Sequence, residues 1–262
     1  MSSIVKVTGT AWASIGSVSG VTASSIVSID GQTAPSSGIT LTDITLTYGS
    51  SNMSTATPIP VTLPTTAVSG DMVLMMFTVD ITASTDEVAT PTGWTIVNSG
   101  GWGSGVSDAW VYMFWREFDG TESSAVDIYA TSDLRRRAHV AWTTIMSNVN
   151  TTNPISAVGS SAISSTGTSV TAPAVTAAHD GVFICIVSQD RDTGDPFSYS
   201  NSSFTLTAGG EGDSTGGGTT GKGVSSGWVY ADITSSTSTS TTVVTASVSD
   251  GKVAGQFVLR QA

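Results

Sequence analysis

Apolar residues along the chain fall in short runs, and most alternate with Ser, Thr or Asp. AVDIYA at 125–130 and TTVVTASV at 241–248 alternate at or near every second residue, the period of a strand with one face on a core. Two runs are continuous instead: DMVLMMF from Asp71 and GVFICIV from Gly181. Continuous short runs predict strands buried on both faces. No segment holds a period of 3.6 for long. The pattern predicts about ten to twelve strands of about 5–9 residues, separated by Gly, Ser, Asn and Asp turns.

The strands come in two equivalent sets. Val61-Thr62-Leu63-Pro64 matches Val170-Thr171-Ala172-Pro173 at an offset of 109 residues, and the two continuous runs match at 110. Gly93-Trp94-Thr95-Ile96 matches Ser203-Phe204-Thr205-Leu206 at 110, and Ala109-Trp110-Val111-Tyr112 matches Gly227-Trp228-Val229-Tyr230 at 118. Ala130 and Ala138 match Ala246 and Ala254 at 116. Chain order is kept and the offset changes only across loops, so the halves, about 58–147 and 167–262, are expected to repeat one succession of strands. The fold class is all-β: an antiparallel, jelly-roll-like β-sandwich of two repeated halves. Two separate small sandwiches are the alternative. One shared core is preferred, because a half of about 90 residues buries little by itself.

Residues 1–57 lie outside the repeat and are expected to form an N-terminal arm before a sandwich at 58–262. The arm contains its own duplication: Ile15, Val18 and Gly20 return eleven residues later as Ile26, Ile29 and Gly31. Such a unit is too small to fold alone. The arm is expected to gain order by docking on the sandwich or on a neighbouring subunit, with Trp12, Ile15, Val18, Ile26 and Ile29 as its contacts. An unstructured leader is the alternative.

Composition narrows the partners. Ser and Thr make up nearly a third of the 262 residues, and charged residues only 11%. The net charge is −11, with nine Lys and Arg, which repels phosphate backbones and anionic membranes; neither nucleic acid nor membrane is an expected partner. No apolar run reaches the length of a membrane span. The N-terminus lacks the continuous apolar stretch of a secretory signal, so NMS, NTT and NSS read as turn chemistry rather than glycosylation sites. Cys185, the only cysteine, lies inside GVFICIV and is expected to be a small core residue.

The succession SGDMVLMMF, TPTGWTIV, WVYMFWREF, AVDIYATS, RAHVAWTTI, then NPISA, SVTAPAVT, DGVFICIV, FTLTA and WVYADI resembles a jelly-roll module of tailed-bacteriophage structural proteins, over about residues 58–262. The leader pattern W-x-x-I-x-x-V-x-G-V is similar to N-terminal segments of phage particle proteins. The resemblance implies a virion component, oligomeric (a trimer is one arrangement), bound to other capsid or tail proteins, with no cofactor and no catalytic residues to transfer. A capsid decoration or cement role suits an acidic chain with no long shaft. Similar modules serve in fibres and adhesins, so a carbohydrate-binding fibre module is the alternative and a glycoside hydrolase the third reading.

The remaining constellations are weighed against these readings. GGGTTGKG at 216–223 nearly spells a phosphate-binding loop, but Gly223 replaces the hydroxyl residue and a strand follows where a helix is required. Glu117 and Asp119 in WREFDG are two apart, on one face if the strand continues; Asp119-Gly120 also reads as a turn. Asp190, Asp192 and Asp195 form a weak calcium candidate with an incomplete ligand set. Arg135, Arg136 and Arg137 are the one basic run, a solvated turn or a contact to an acidic neighbour. His139 and His179 stand alone, which does not support zinc. Trp102, in GGWGSG, is the aromatic to consider for a sugar or an interface, and the glycan reading needs it exposed. Trp94, Trp110, Trp115, Trp142 and Trp228 are expected in the core.

Overall fold

The structure, a computed structural model, describes residues 38–81, 88–98, 101–103, 109–132, 136–190, 197–214, 223–235 and 237–262, together with four two-residue strands nearer the N-terminus. Those four are β1 (Ser17–Val18), β2 (Val21–Thr22), β3 (Ser28–Ile29) and β4 (Gln32–Thr33). They belong to a unit, Met1–Gly38, distinct from Ile39–Ala262. β1 pairs with β2 and β3 with β4, closing at Val18↔Val21 and Ile29↔Gln32. Each copy of the duplicated unit is thus a minimal hairpin, with Ser19-Gly20 or Asp30-Gly31 between the paired residues, dipeptides of the kind that two-residue connections use.

The larger unit is all-β and antiparallel. Its first half holds β5 (Thr40–Asn52), β6 (Ile59–Thr62), β7 (Met72–Asp80), β8 (Thr95–Ile96), β9 (Trp102–Gly103), β10 (Ala109–Glu117), β11 (Ala125–Ile128) and β12 (Arg136–Ser147). Its second half holds β13 (Ile155–Ser164), β14 (Ser169–Ala172), β15 (Gly181–Gln189), β16 (Ser198–Asn201), β17 (Thr207–Ser214), β18 (Val224–Ile233), β19 (Thr242–Thr245) and β20 (Lys252–Arg260). The second half forms sheets ordered β13-β20-β15-β18-β17 and β14-β19-β16. Counted within the half, that is 1-8-3-6-5 facing 2-7-4, the jelly-roll order with the fifth strand carried across to the large sheet. The first half forms β5-β12-β7-β10-β8, with β9 also beside β10, and a small sheet of β11 and β6.

The antiparallel sandwich of two equivalent halves is therefore what the chain adopts, with two differences from expectation. First, the interior is not one shared core. Each half is a sandwich with its own core: Val73, Met75, Phe77, Tyr112 and Phe114 under β6 and β11, and Phe183, Cys185, Val187 and Val258 under the other small sheet. A third cluster joins the large sheets face to face, with Leu74, Met76, Met113, Val140 and Trp142 against Ile184, Ile186, Trp228 and Phe257. Alternate residues of β7 and β15 point to opposite sides, so both sides are apolar and every residue of both strands is buried. This is the physical meaning of the two continuous runs. Second, the repeat begins earlier than the expected arm boundary. β5, inside 1–57, is the first strand of the first half and pairs with β12 from Thr40↔Ser147 to Asn52↔Arg136.

Close backbone approach in the middle layer explains two glycines. A Cβ on Gly210 would lie 2.7 Å from the Trp142 ring, and one on Gly255 would lie 2.4 Å from the Trp102 ring. Two indoles of the first half thus seat on bare backbone of the second.

Candidate assembly interface

Two features of the first half leave backbone or apolar surface partly uncovered among the described residues. The first is β5, the edge of its large sheet. β5 is 13 residues long, and past its register shift alternation sends the even-numbered side chains from Ile44 onward to one face. Ile44, Leu46 and Tyr48 share that face and are 41%, 36% and 61% exposed. The strand carries no Pro and no Lys. Its regularity is broken near one end, where the register shifts opposite Thr143 and Ile145 and Asp43 adopts φ 47°. Asp43 accepts hydrogen bonds there from Thr66 N at 2.8 Å and Thr66 Oγ1 at 2.7 Å, which hold its carboxyl below the usual range.

The second feature is a groove of about 460 Å³ beside β11, lined by Ala89, Pro91, Trp94, Glu122, Val126 and Asp127 among others. Local chemistry builds it. β11 pairs with β6 through Val126↔Val61 and Ile128↔Ile59, while Asp127 faces Pro60, which has no N–H. The backbone of Asp127 therefore points away from β6, into the groove. Toward the groove the chain begins a third strand: Val88 bridges Ala130, and Ala89 N donates to Tyr129 O at 2.8 Å. The next donor in that register would be residue 91, opposite Asp127. Pro91 has no proton to give, so pairing stops. Among the described residues no strand covers the rest of this edge.

The groove floor is bounded by an ordered turn. Glu122 meets Arg116 at 2.7 Å and accepts the N–H groups of Asp119 and Gly120, each at 2.9 Å. Asp119 accepts from the N–H and hydroxyl of Thr121, at 2.8 and 2.5 Å. Gly120, at φ 87°, turns the chain. The strand ends at Glu117, so Glu117 and Asp119 are not a pair on one strand face. The Thr121 hydrogen bonds lower the Asp119 pKa. At Glu122 burial raises the pKa, but the N–H donors and Arg116 outweigh it and the net shift is downward. A general acid at neutral pH needs the opposite shift.

Other residues singled out by sequence fall as follows. Trp102 is 6% exposed and belongs to the layer between the halves; the exposed ring required for sugar stacking is absent because Gly255 gives the indole a buried seat. It is an interface aromatic within the chain. Val18 and Ile29 lie in β1 and β3, whereas Trp12, Ile15 and Ile26 lie outside the described residues. So do Arg135, Asp192, Asp195 and residues 216–222 of the glycine-rich loop. Arg136 and Arg137 open β12 opposite Asn52 and Ser51. The residue that opens β20 in the same way, Lys252, is buried, and its Nζ donates to the carbonyls of Gly167, Val248 and Asp250 at 2.7–3.2 Å. Asp190 N donates to Gly251 O at 2.9 Å. His139 is buried against Phe77, and His179 Nδ1 lies 3.3 Å from Ser156 Oγ. Trp94, Trp110, Trp142 and Trp228 are buried, and Trp115 is partly buried. Cys185 is fully buried and lies among apolar neighbours; burial pushes its thiol up to about 12.

Sequence reading missed both partly uncovered features, although signals for them were present. Ile44, Leu46 and Tyr48 alternate visibly in LTDITLTYG, and at the repeat offset of 110 Pro91 stands where the second half has Asn201, a strand residue. No family profile, curated protein or solved structure matches this chain.

Proposed function

We propose that this chain is a non-enzymatic structural component of a tailed-phage virion. It acts by burying surface against copies of itself and neighbouring capsid or tail proteins, in the manner of a decoration or cement subunit. The observation that carries this reading is β5, a 13-residue edge strand on which Ile44, Leu46 and Tyr48 stay exposed even though Ser214 caps Gly49 O and the Gly212 backbone lies beside Leu46. Unpaired, apolar, proline-free strand edges associate in water unless a partner covers them. Two jelly rolls joined through an apolar layer present that edge on a rigid body, which suits repeated contacts of fixed geometry. The resemblance of the strand succession to phage particle modules supplies the setting.

The test is the solution mass of the full chain by analytical ultracentrifugation, beside an Ile44→Lys/Tyr48→Lys variant. The expected outcome is an oligomer for the parent chain and a clearly smaller species for the variant, with identical far-ultraviolet circular dichroism. A parent chain that is monomeric at micromolar concentration, or a variant of unchanged mass, overturns the reading.

A further inference from the structure

We infer that the groove along β11 is a strand-binding site, and that its occupant is the segment Ile4-Val5-Lys6-Val7-Thr8 of a second copy of this chain. The proposal goes beyond the β5 edge and does not require it.

The argument starts from the other half. There the strand equivalent to β11, β19, is paired on both sides, by β14 and by β16. In the first half, among the described residues, β6 alone pairs with β11 as a strand, and Pro91 ends the chain's own attempt at the third strand after Ala89. What remains is a gap into which the Asp127 backbone is aimed, lined by the apolar surface of Trp94, Leu63 and Val126. Such a gap accepts an extended segment by strand addition, in which main-chain bonds give affinity and alternate side chains give selectivity.

The arm supplies a segment of matching chemistry. Residues 4–8 read apolar-apolar-basic-apolar-Thr and stop at Gly9. Placed antiparallel, as β16 lies on β19, Lys6 stands opposite Asp127, Val5 opposite Ile128 and Val7 opposite Val126. Val5 and Val7 then face inward with Val126 and Ile128, while Lys6 faces outward beside exposed Asp127. In a chain of net charge −11, Lys6 is the only basic residue of the arm, and it meets a carboxylate in this register. The thirty residues between Thr8 and Ile39 give ample reach to another subunit.

The test uses full chains. Lys6→Cys and Asp127→Cys are made separately, the second with a size tag, then mixed and oxidised; Cys185 is fully buried and does not compete. Residues opposite each other in an antiparallel pair have the Cα separation a disulfide spans. The expected result is a tagged–untagged disulfide mapped by mass spectrometry to positions 6 and 127. Excess peptide SSIVKVTG lowers its yield several-fold, and the same peptide with Lys6→Asp lowers it less. Two outcomes overturn the proposal: no mixed disulfide, or a Lys6→Cys/Asp127→Cys double variant that closes only within one chain. Oligomers that persist without the 6–127 disulfide remove the arm contact and leave the β5 reading standing. A 6–127 disulfide beside an unchanged mass for the β5 variant does the reverse.

Discussion

The two jelly rolls share a strand order but differ at their edges. In the second half β17, eight residues long, covers the flank of β18, and β16 completes the small sheet. In the first half the flank of β10 is covered by two-residue pieces, β8 and β9, together with the side chain of Asn98. Asn98 donates to Val111 O and accepts from Met113 N, each at 2.8 Å, standing in for a missing backbone strand. Among the described residues the small sheet of the first half has two strands, and the pairing that Val88 and Ala89 begin does not pass Pro91, which has no N–H. Central strands must satisfy two apolar layers at once and so keep their pattern. Edge strands answer to one neighbour and are free to become binding surfaces.

The comparison holds only if the middle layer couples the halves. Trp228→Ala, in that layer, and Phe77→Ala, in the first half's own core, each remove a fully buried ring and are expected to cost about 3–5 kcal/mol. Both are expected to move one shared denaturant transition. Two separate transitions, followed by tryptophan fluorescence and circular dichroism, would break the claim that the jelly rolls form one cooperative body.

Gly255→Val is the next largest. The added Cβ would lie 2.4 Å from the Trp102 ring, and overpacking of this kind costs about 1–3 kcal/mol. Pairing it with Trp102→Ala sharpens the point. In the double variant the two losses are expected to be less than additive, because the ring that clashes is gone. Full additivity would show that the seat is not where the strain arises.

Cys185 reports on the second half alone. Its thiol is pushed from 9.0 to about 12 in the fold. Above about pH 9 the unfolded chain releases the proton while the native chain keeps it, so stability contributed by the neutral thiol declines between about 9 and about 12 and is constant below that window. Cys185→Ser is expected to flatten this slope. At pH 8 the native chain is expected to resist iodoacetamide and the denatured chain to react fully. Rapid native labelling would mean that the second half opens locally, independently of the first.

Pro91→Thr carries the smallest expected effect, about 0.5–1 kcal/mol of stabilisation. It restores an N–H opposite Asp127 and makes the first half more like the second. Hydrogen exchange at 125–129 is expected to slow, and the mixed disulfide between positions 6 and 127 to fall. Unchanged exchange would mean that Thr90 and Pro91 are held away from β11 by something other than the missing proton.

Much of this architecture was legible in the residues. The continuous apolar runs DMVLMMF from Asp71 and GVFICIV from Gly181 identified the two-faced strands, and the near-constant offset identified the duplication. Asp119-Gly120 announced its turn, and Cys185 its burial. Periodicity and spacing report such features because each depends on neighbours close in sequence. What the chain order of side chains did not contain was which layer each face meets. The same alternation serves one shared core or three, and only the packing of the two large sheets against each other decided for three. Trp102 looks like an exposed loop aromatic until Gly255, more than a hundred residues away, supplies its seat. Pro91 and the Ile44-Leu46-Tyr48 stripe are plain in the sequence, but neither marks a sheet edge until the strand order shows that no described strand pairs beside it. Edges and layers are relations between distant segments, set by long-range pairing, and so they belong to the tertiary structure.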